Sequence, residues 1–379
     1  MRIVYLLLHD FRYASLTLQE FAHKRFHFAK EYARRMSTLG HDVKLYVMAD
    51  GIQQRVVIHA DGYVIKAFKT SLRFPPFSRF GNDHSLEVLR ELKRDSPDLV
   101  HLHNYYLWNF PYVAAWVKRE GIPLVAQYHG TDPLRKLKGF AFQPALRLCD
   151  RLLVPLPSEQ GFLRCLGLPT SRVIRFPSTG VDTDEFRRTS PAGKEPSLIY
   201  VGRIPKLANY RWEKAPQYLL PILGALRKLG VPARMTIVGD GPGLVDLVKR
   251  SEEFGLRDAV DFTGSLGHRE LPAYYSRSWF TFVPFQIEEI GPYWDGALQE
   301  SLACGTPVIG FNNQNPGFQK MGILVPTKGS EAARLIASAL RNRSQFSRVD
   351  CEGPLLTRSI CDWSILTRRL EMVYEALAN

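Results

Sequence analysis

The chain has 379 residues, 45% of them hydrophobic and 23% charged, which is ordinary for a soluble globular protein and enough for two or three domains with their own cores. Five cysteines, at positions 149, 165, 304, 351 and 361, form no CxxC pair and no Cys/His cluster, so buried reduced thiols are expected rather than a disulfide scaffold or a zinc site. A formal net charge of +13 favours anionic partners such as nucleotide phosphates or phospholipid head groups, or marks a solvated basic surface, while no zinc-finger, RRM or RGG signature supports nucleic-acid binding.

The first apolar run, Ile3 to Leu8, is too short to span a membrane and lacks a signal-peptide cleavage pattern. It reads as the first strand of a parallel sheet, with a cytoplasmic location by default. A helix is expected over 20–39, stopped by Gly40 before a strand at Val43–Val47. Its segment 23–35 mixes Lys24, Arg25, Lys30, Arg34 and Arg35 with Phe26, Phe28 and Tyr32. That is either a helix with one buried face or a surface for anionic lipid, and so is the basic stretch 134–151 around Phe140 and Phe142. Strands follow at Val64–Ala67, Leu99–His103, Leu124–Tyr128, Arg151–Pro155 and Val173–Phe176, with helices over 84–95, 109–120 and 158–166. His103 and His129 lie at strand carboxyl ends, and Gly130 permits close backbone approach.

The stretch 187–196, RRTSPAGKEP, is polar, holds two prolines and a glycine, and has no apolar periodicity, as an interdomain linker would. A second strand series follows at Leu198–Val201, Arg234–Val238, Val260–Thr263, Trp279–Val283, Pro307–Gly310 and Gly322–Val325. The intervening helices fall at 213–229, 243–255, 269–276, 296–304 and 330–342, and a last one at 362–378. Such alternation implies parallel sheets covered on both faces, in an N-terminal domain over 1–186 and a C-terminal one over 197–362.

The ligands of such sheets sit beyond the strand carboxyl ends. Glu300 stands there, early in a short helix whose N-terminus also attracts phosphate. Its two acceptor oxygens suit a cis-diol such as that of a nucleotide ribose. Arg203, after the first strand of the second series, and Lys214 beyond it are cations at strand and helix ends, where they can stabilise negative charge or simply be solvated. Lys206 and Arg211, between them, suit phosphate, acceptor or plain solvent. Gly239, Gly241 and Gly243 allow a tight strand-to-helix reversal and close approach of backbone to a ligand.

These residues resemble the retaining glycosyltransferases of GT-B fold, family four (group 1) in particular, along almost the whole chain. Gly202-Arg203 with Lys214 looks like the family's GR…KG signature, with Ala215 for the usual glycine. Val238-Gly239-Asp240-Gly241-Pro242 looks like its VGDGP turn, Phe262–Leu266 with Gly264 like a segment near the nucleobase, and His129-Gly130 like its HG segment. Phe176–Asp182 is similar to its PNGVD turn, and Gln299–Gly310 to the second half of its E-x7-E region. The chain departs from the pattern in two places. His9–Ala14 lacks the usual glycine pair, and Pro292 stands where the first glutamate belongs. Glu289 is the preferred stand-in, with Glu288 and Asp295 as alternatives; Tyr293 and Trp294 could stack on a sugar or simply pack.

The resemblance implies two Rossmann-like, doubly wound parallel-sheet domains facing a cleft, the last helix crossing back onto the first domain. It implies a metal-independent transferase with no resident cofactor, moving a sugar from a nucleotide-diphosphate donor to a hydroxyl acceptor with retention. Glu300 would hold the ribose, Arg203 and Lys214 the diphosphate, and His129 with the acidic loop residue the sugar. The acceptor could be a glycan, a lipid-linked molecule or a small molecule, and the enzyme could sit peripherally at a membrane. A nucleotide-sugar epimerase and a non-catalytic sugar-nucleotide-binding protein are the competing readings.

Overall fold

The computed structural model describes residues 1–11, 16–23, 26–77, 81–130, 134–205, 216–286, 295–311, 321–326 and 329–378. The chain divides into two compact units, 1–178 with 366–379, and 179–365.

In the first unit the strands are β1 (Arg2–Leu7), β2 (Asp42–Ala49), β3 (Val56–His59), β4 (Val64–Lys69), β5 (Leu72–Arg73), β6 (Asp83–His84), β7 (Leu99–His103), β8 (Leu124–Gln127), β9 (Arg151–Val154) and β10 (Val173–Arg175). Among the described residues they form a sheet in the order β10-β9-β8-β7-β1-β2-β4-β3, with β5 and β6 as a separate antiparallel pair. All neighbours in the large sheet are parallel except β3 with β4. The order runs outward in both directions from β1, so the sheet is doubly wound. Its strands read as continuous apolar runs because helices bury both faces. Val4, Leu6, Val100, Leu102, Leu124 and Ala126 lie in one core with Phe110, Val113 and Leu146 from the helices.

The expected helix over 20–39 is two helices, Leu18–His23 and Phe28–Thr38. His27 breaks it: its backbone is extended (φ −155°) and its Nδ1 accepts from the Ala29 N–H at 3.3 Å, capping the second helix. Two basic residues of the amphipathic segments 23–35 and 134–151 lie on the buried face. Lys30 donates to the Phe21 and Ala22 carbonyls, and Lys138 donates to the Tyr106 carbonyl beneath the Trp108 ring. On helix Arg135–Leu146, Lys138 therefore belongs to the packed face, whereas Leu137 and Phe140 are exposed.

In the second unit the strands are β11 (Ser197–Val201), β12 (Arg234–Val238), β13 (Val260–Gly264), β14 (Phe280–Gln286), β15 (Val308–Phe311) and β16 (Gly322–Val325). They form a parallel sheet in the order β13-β12-β11-β14-β15-β16. The order reverses at β11, with β12 on one side and β14 on the other. The crevice that such a reversal opens lies beyond the carboxyl ends of these two strands.

The segment 187–196 runs packed against the second unit. Arg188 donates to the Gly305 carbonyl and to Asp350, and the Thr189 N–H donates to Ser276. The Gly193 N–H donates to the Arg277 carbonyl, while its own carbonyl accepts from the Trp279 indole. The boundary between units lies earlier, between Ser178 and Thr179. Just after it, Val181 pairs with Asp362, whose carboxylate accepts from the Thr183 and Ser364 hydroxyls. The last helix, Trp363–Ala378, starts in the second unit and continues into the first, where Leu370 and Tyr374 are fully buried.

Candidate active site

In the second unit the carboxyl edge of the sheet is built around the exit of β11. Gly202 and Arg203 follow that strand, and the Arg203 carbonyl accepts from the buried Tyr200 hydroxyl at 3.0 Å. The glycine turn after β12 lies directly on this exit. The Gly202 N–H donates to the Val238 carbonyl, the Ile204 N–H to the Asp240 carbonyl and the Gly243 N–H to the Ile204 carbonyl. A methyl on Gly239 would collide with the carbonyl oxygen of Gly202, and one on Gly241 with that of Ile204. Their φ angles, +139° and +144°, are also ones that a side chain disfavours. The expected close approach is thus made here by neighbouring backbone. Gly264 has φ +69° with open space where a side chain would be, and its carbonyl accepts from the Gly239 N–H.

Helix Gly296–Ala303 carries Glu300, and all of its residues from Ala297 onward are buried. Asp295 is its N-cap: the backbone is extended and Oδ1 accepts from the Leu298 N–H at 3.1 Å. That oxygen of Asp295, an alternative for the sugar-contacting carboxylate, is thereby engaged in starting the helix. Ser301 ties the helix to β14 and to the following turn through Thr281 Oγ1 (2.6 Å) and the Thr306 carbonyl (2.8 Å). The pairing of β14 with β15 slips between Val283 and Gln286, where the chain leaves the sheet. The loop that follows holds Glu288, Glu289, Pro292, Tyr293 and Trp294, and these, like Lys206, Arg211 and Lys214, lie outside the described residues.

Glu300 is only 9% exposed, and its carboxylate is hydrogen-bonded at one oxygen and has an imidazole beside the other. Oε2 accepts from the Tyr275 hydroxyl at 2.7 Å, and Oε1 lies 3.4 Å from His268 Nε2. The other ring nitrogen of His268 is 3.9 Å from Glu185, and Phe186 packs edge-on against the imidazole at 4.6 Å. Tyr275 is fully buried; burial, and then the neighbouring Glu300 charge, raises its pKa well above the ordinary range, so it stays a neutral donor. Tyr275 and His268 are 25 and 32 residues from Glu300 in sequence, and no spacing rule joins them to it. The one available signal is position: Tyr275 lies in the last turn of the helix that feeds β14, and β14 leads to Glu300.

In the first unit, β7 and β8 end in His103 and His129, which meet: His103 Nδ1 and His129 Nε2 are 2.9 Å apart. His129 also hydrogen-bonds the Ser178 backbone and stacks on Phe28 at 4.1 Å. Burial pushes its pKa down to about 3 and holds His9, His101 and His103 below the ordinary range too. His101 extends the series inward, with its ring 4.5 Å from that of His103 and its Nδ1 bonded to the Tyr374 hydroxyl of the last helix. The expected sugar contact of His129 therefore meets a neutral ring whose Nε2 is engaged internally. After β1, where the usual glycine pair is missing, His9 and Asp10 are buried, and Asp10 joins Asp50 and Asp83 around Arg73. Among the described residues no group of His, Cys, Asp or Glu is placed to hold a metal, and no helix is long and apolar enough to cross a membrane.

Comparison with known proteins agrees with this architecture. The family model for Glycosyltransferase Family 4 matches residues 27–185, and that for Glycosyl transferases group 1 matches residues 182–350. The Alpha-D-kanosaminyltransferase of Streptomyces kanamyceticus is 27% identical over 315 residues, 73% of this chain and 77% of that protein. A GDP-mannose-dependent alpha-(1-6)-phosphatidylinositol monomannoside mannosyltransferase of Mycobacterium tuberculosis is 27% identical over 216 residues, 52% of this chain and 54% of that one, so the match spans about half the length of this relative. In fold, sucrose-phosphate synthase from Thermosynechococcus elongatus superimposes with a TM-score of 0.70 at 18% identity, covering 100% of this chain and 99% of that one. Anabaena HepE in complex with UDP gives 0.71 at 13% identity, with 100% of both chains covered. With the two family models together spanning residues 27–350 and a Rossmann-like α/β sheet in each unit, this chain belongs to the group 1 glycosyltransferases of family 4 and has the GT-B fold.

Proposed function

We propose that this glycosyltransferase takes a nucleoside-diphosphate sugar as donor, transfers the sugar to a hydroxyl acceptor with retention of anomeric configuration, and needs no metal ion or resident cofactor. The observation that carries the reading is Glu300, a carboxylate fixed by Tyr275 and His268 on the same sheet edge from which Arg203 emerges. Each carboxylate oxygen has two acceptor positions, so a ribose diol can bind Glu300 without displacing either neighbour. The guanidinium of Arg203 and the ammonium of Lys214 then offset the charge that develops on the diphosphate as the sugar bond breaks, the task a metal performs elsewhere. Among the relatives, one is by name GDP-mannose-dependent and a structural neighbour was solved with UDP, which supports a nucleotide donor.

The second unit is the donor-binding half in this proposal, and the first unit is the acceptor half. Retention follows from front-face substitution, in which the leaving phosphate helps deprotonate the acceptor. A lipid-linked acceptor at an anionic membrane surface fits the exposed Leu134, Leu137 and Phe140, which share a helical face with Lys136 nearby. Sedimentation with anionic vesicles at low salt tests that part; protein left in the supernatant points to a soluble acceptor.

Turnover tests the whole. Nucleoside diphosphate is released only when donor and acceptor are both present, the product keeps the donor's anomeric configuration by NMR, and a chelator leaves the rate unchanged. Inversion, or loss of activity in the chelator, would refute the corresponding part.

A further inference from the structure

The contacts of Glu300 reach beyond a carboxylate waiting for a ligand. A buried carboxylate needs partners, and one hydrogen bond to a tyrosine or to a backbone N–H is an ordinary way to meet that need. Here two separate elements converge on opposite oxygens. Tyr275 comes from helix Leu271–Arg277 and donates to Oε2 at 2.7 Å; His268 comes from the turn before it and faces Oε1 at 3.4 Å. Both are themselves fixed. The carbonyl of Tyr275 accepts from the Thr306 hydroxyl, and the neighbouring Ser276 accepts from the Thr189 N–H. The imidazole of His268 is wedged by Phe186 and lies between Glu185 and Glu300. The helix that carries Glu300 is fixed in turn by its Asp295 cap and by Ser301.

We propose that Tyr275 and His268 are positioning residues for donor recognition: together they lock the plane of the Glu300 carboxylate so that its remaining lone pairs meet the two hydroxyls of a nucleotide ribose. This rests on the nucleotide-sugar reading above. A carboxylate free to rotate about its last bond offers a diol many mismatched orientations, whereas one hydrogen-bonded at Oε2 and flanked by an imidazole at Oε1 offers fewer, and that preorganisation is gained as affinity. Tyr275 and His268 touch the ribose only through Glu300, so their contribution belongs to the diol alone.

That dependence gives the test. Wild type, Tyr275→Phe and His268→Gln are titrated calorimetrically with the nucleoside diphosphate that binds the wild type best among UDP, GDP, ADP and dTDP; where dTDP leads, the best ribonucleotide is used. Each is then titrated with the 2′,3′-dideoxy analogue. The expected result is about a tenfold loss of affinity for the ribonucleotide in each variant, and no difference from wild type for the dideoxy analogue. In turnover, KM for the donor rises about tenfold while kcat stays within twofold. Melting temperatures identify any variant that fails to fold, and His268, at the edge of the packing, provides the second variant if Tyr275→Phe does. Equal losses with ribo and dideoxy ligands, or no loss with either, overturn the inference and leave the donor reading intact. A wild type that binds no nucleoside diphosphate overturns both.

Discussion

The side chain of Glu300 combines two properties that rarely coincide: it is nearly buried, yet each of its oxygens keeps an acceptor position beyond the one facing its neighbour. Glu300→Ala removes the carboxylate and leaves the Tyr275 hydroxyl without its acceptor. Arg203→Ala removes a cation from the exit of β11 while leaving the backbone contact with Tyr200 in place. Each is expected to lower donor affinity or turnover at least tenfold, roughly 1.4 kcal/mol; unchanged calorimetric binding and unchanged activity in both variants would sink the assignment. The glycines of the 239–243 turn act differently. Gly241→Ala forces a methyl into the Ile204 carbonyl, so it is expected to destabilise the second unit by about 1–3 kcal/mol in urea unfolding. An alanine variant of wild-type stability would show that the turn can shift away from β11. Glu300 was legible at this scale because a carboxylate near the start of a helix after a strand has a recognisable address. His268 and Tyr275 were not, because their link to it is tertiary contact across 25 residues or more.

Secondary structure obeys cruder rules, and the elements near the site show where those rules stop. Apolar runs such as Leu198–Val201 and Arg234–Val238 are read correctly as strands because a strand buried on both faces needs no alternation. The continuous helix expected over 20–39 fails at His27, where a side chain that accepts from the Ala29 N–H makes an extended residue cheaper than another helical turn. The polar stretch 187–196 reads as a free linker from composition, but its backbone groups and Arg188 find partners that composition cannot disclose. The helix Gly296–Ala303 offers the clearest prediction at this scale. If Asp295 acts as its cap, Asp295→Ala costs about 1 kcal/mol and Asp295→Ser restores most of it. Chemical denaturation of the pair measures this. Loss of donor turnover in both variants with stability unchanged would assign Asp295 to the sugar instead.

Across the whole molecule, the histidines of the first unit set its tolerance of acid. His9, His101, His103 and His129 are all held neutral, with pKa values pressed below the usual 6.5 by burial. Such a ring takes up its proton only on unfolding, so the fold has its full stability above about pH 7. It loses stability as the pH drops below 6.5, by up to about 1.4 kcal/mol per pH unit for each histidine. The carboxylates of Asp95 and Asp362 are shifted down by the hydrogen bonds they accept, which outweigh burial, so they add a loss only at lower pH, as it falls through their own depressed values. The unfolding midpoint of the first unit should therefore stay level above pH 7 and fall steadily between pH 6.5 and 5, and a profile flat over that lower range would contradict the buried neutral cluster. The two-domain α/β plan was legible from strand–helix alternation alone. The point of division was not, since residues 179–186 show their allegiance only through contacts such as Val181 and Thr183 with Asp362. The last helix has a practical consequence for dissecting the enzyme. Because Leu370 and Tyr374 complete the interior of a unit that otherwise ends at Ser178, a fragment cut after that serine lacks part of its own core. Expressing that half alone calls for a graft of residues 366–378 or a circularly permuted gene, whereas residues 179–365 form an uninterrupted stretch that can be cloned directly.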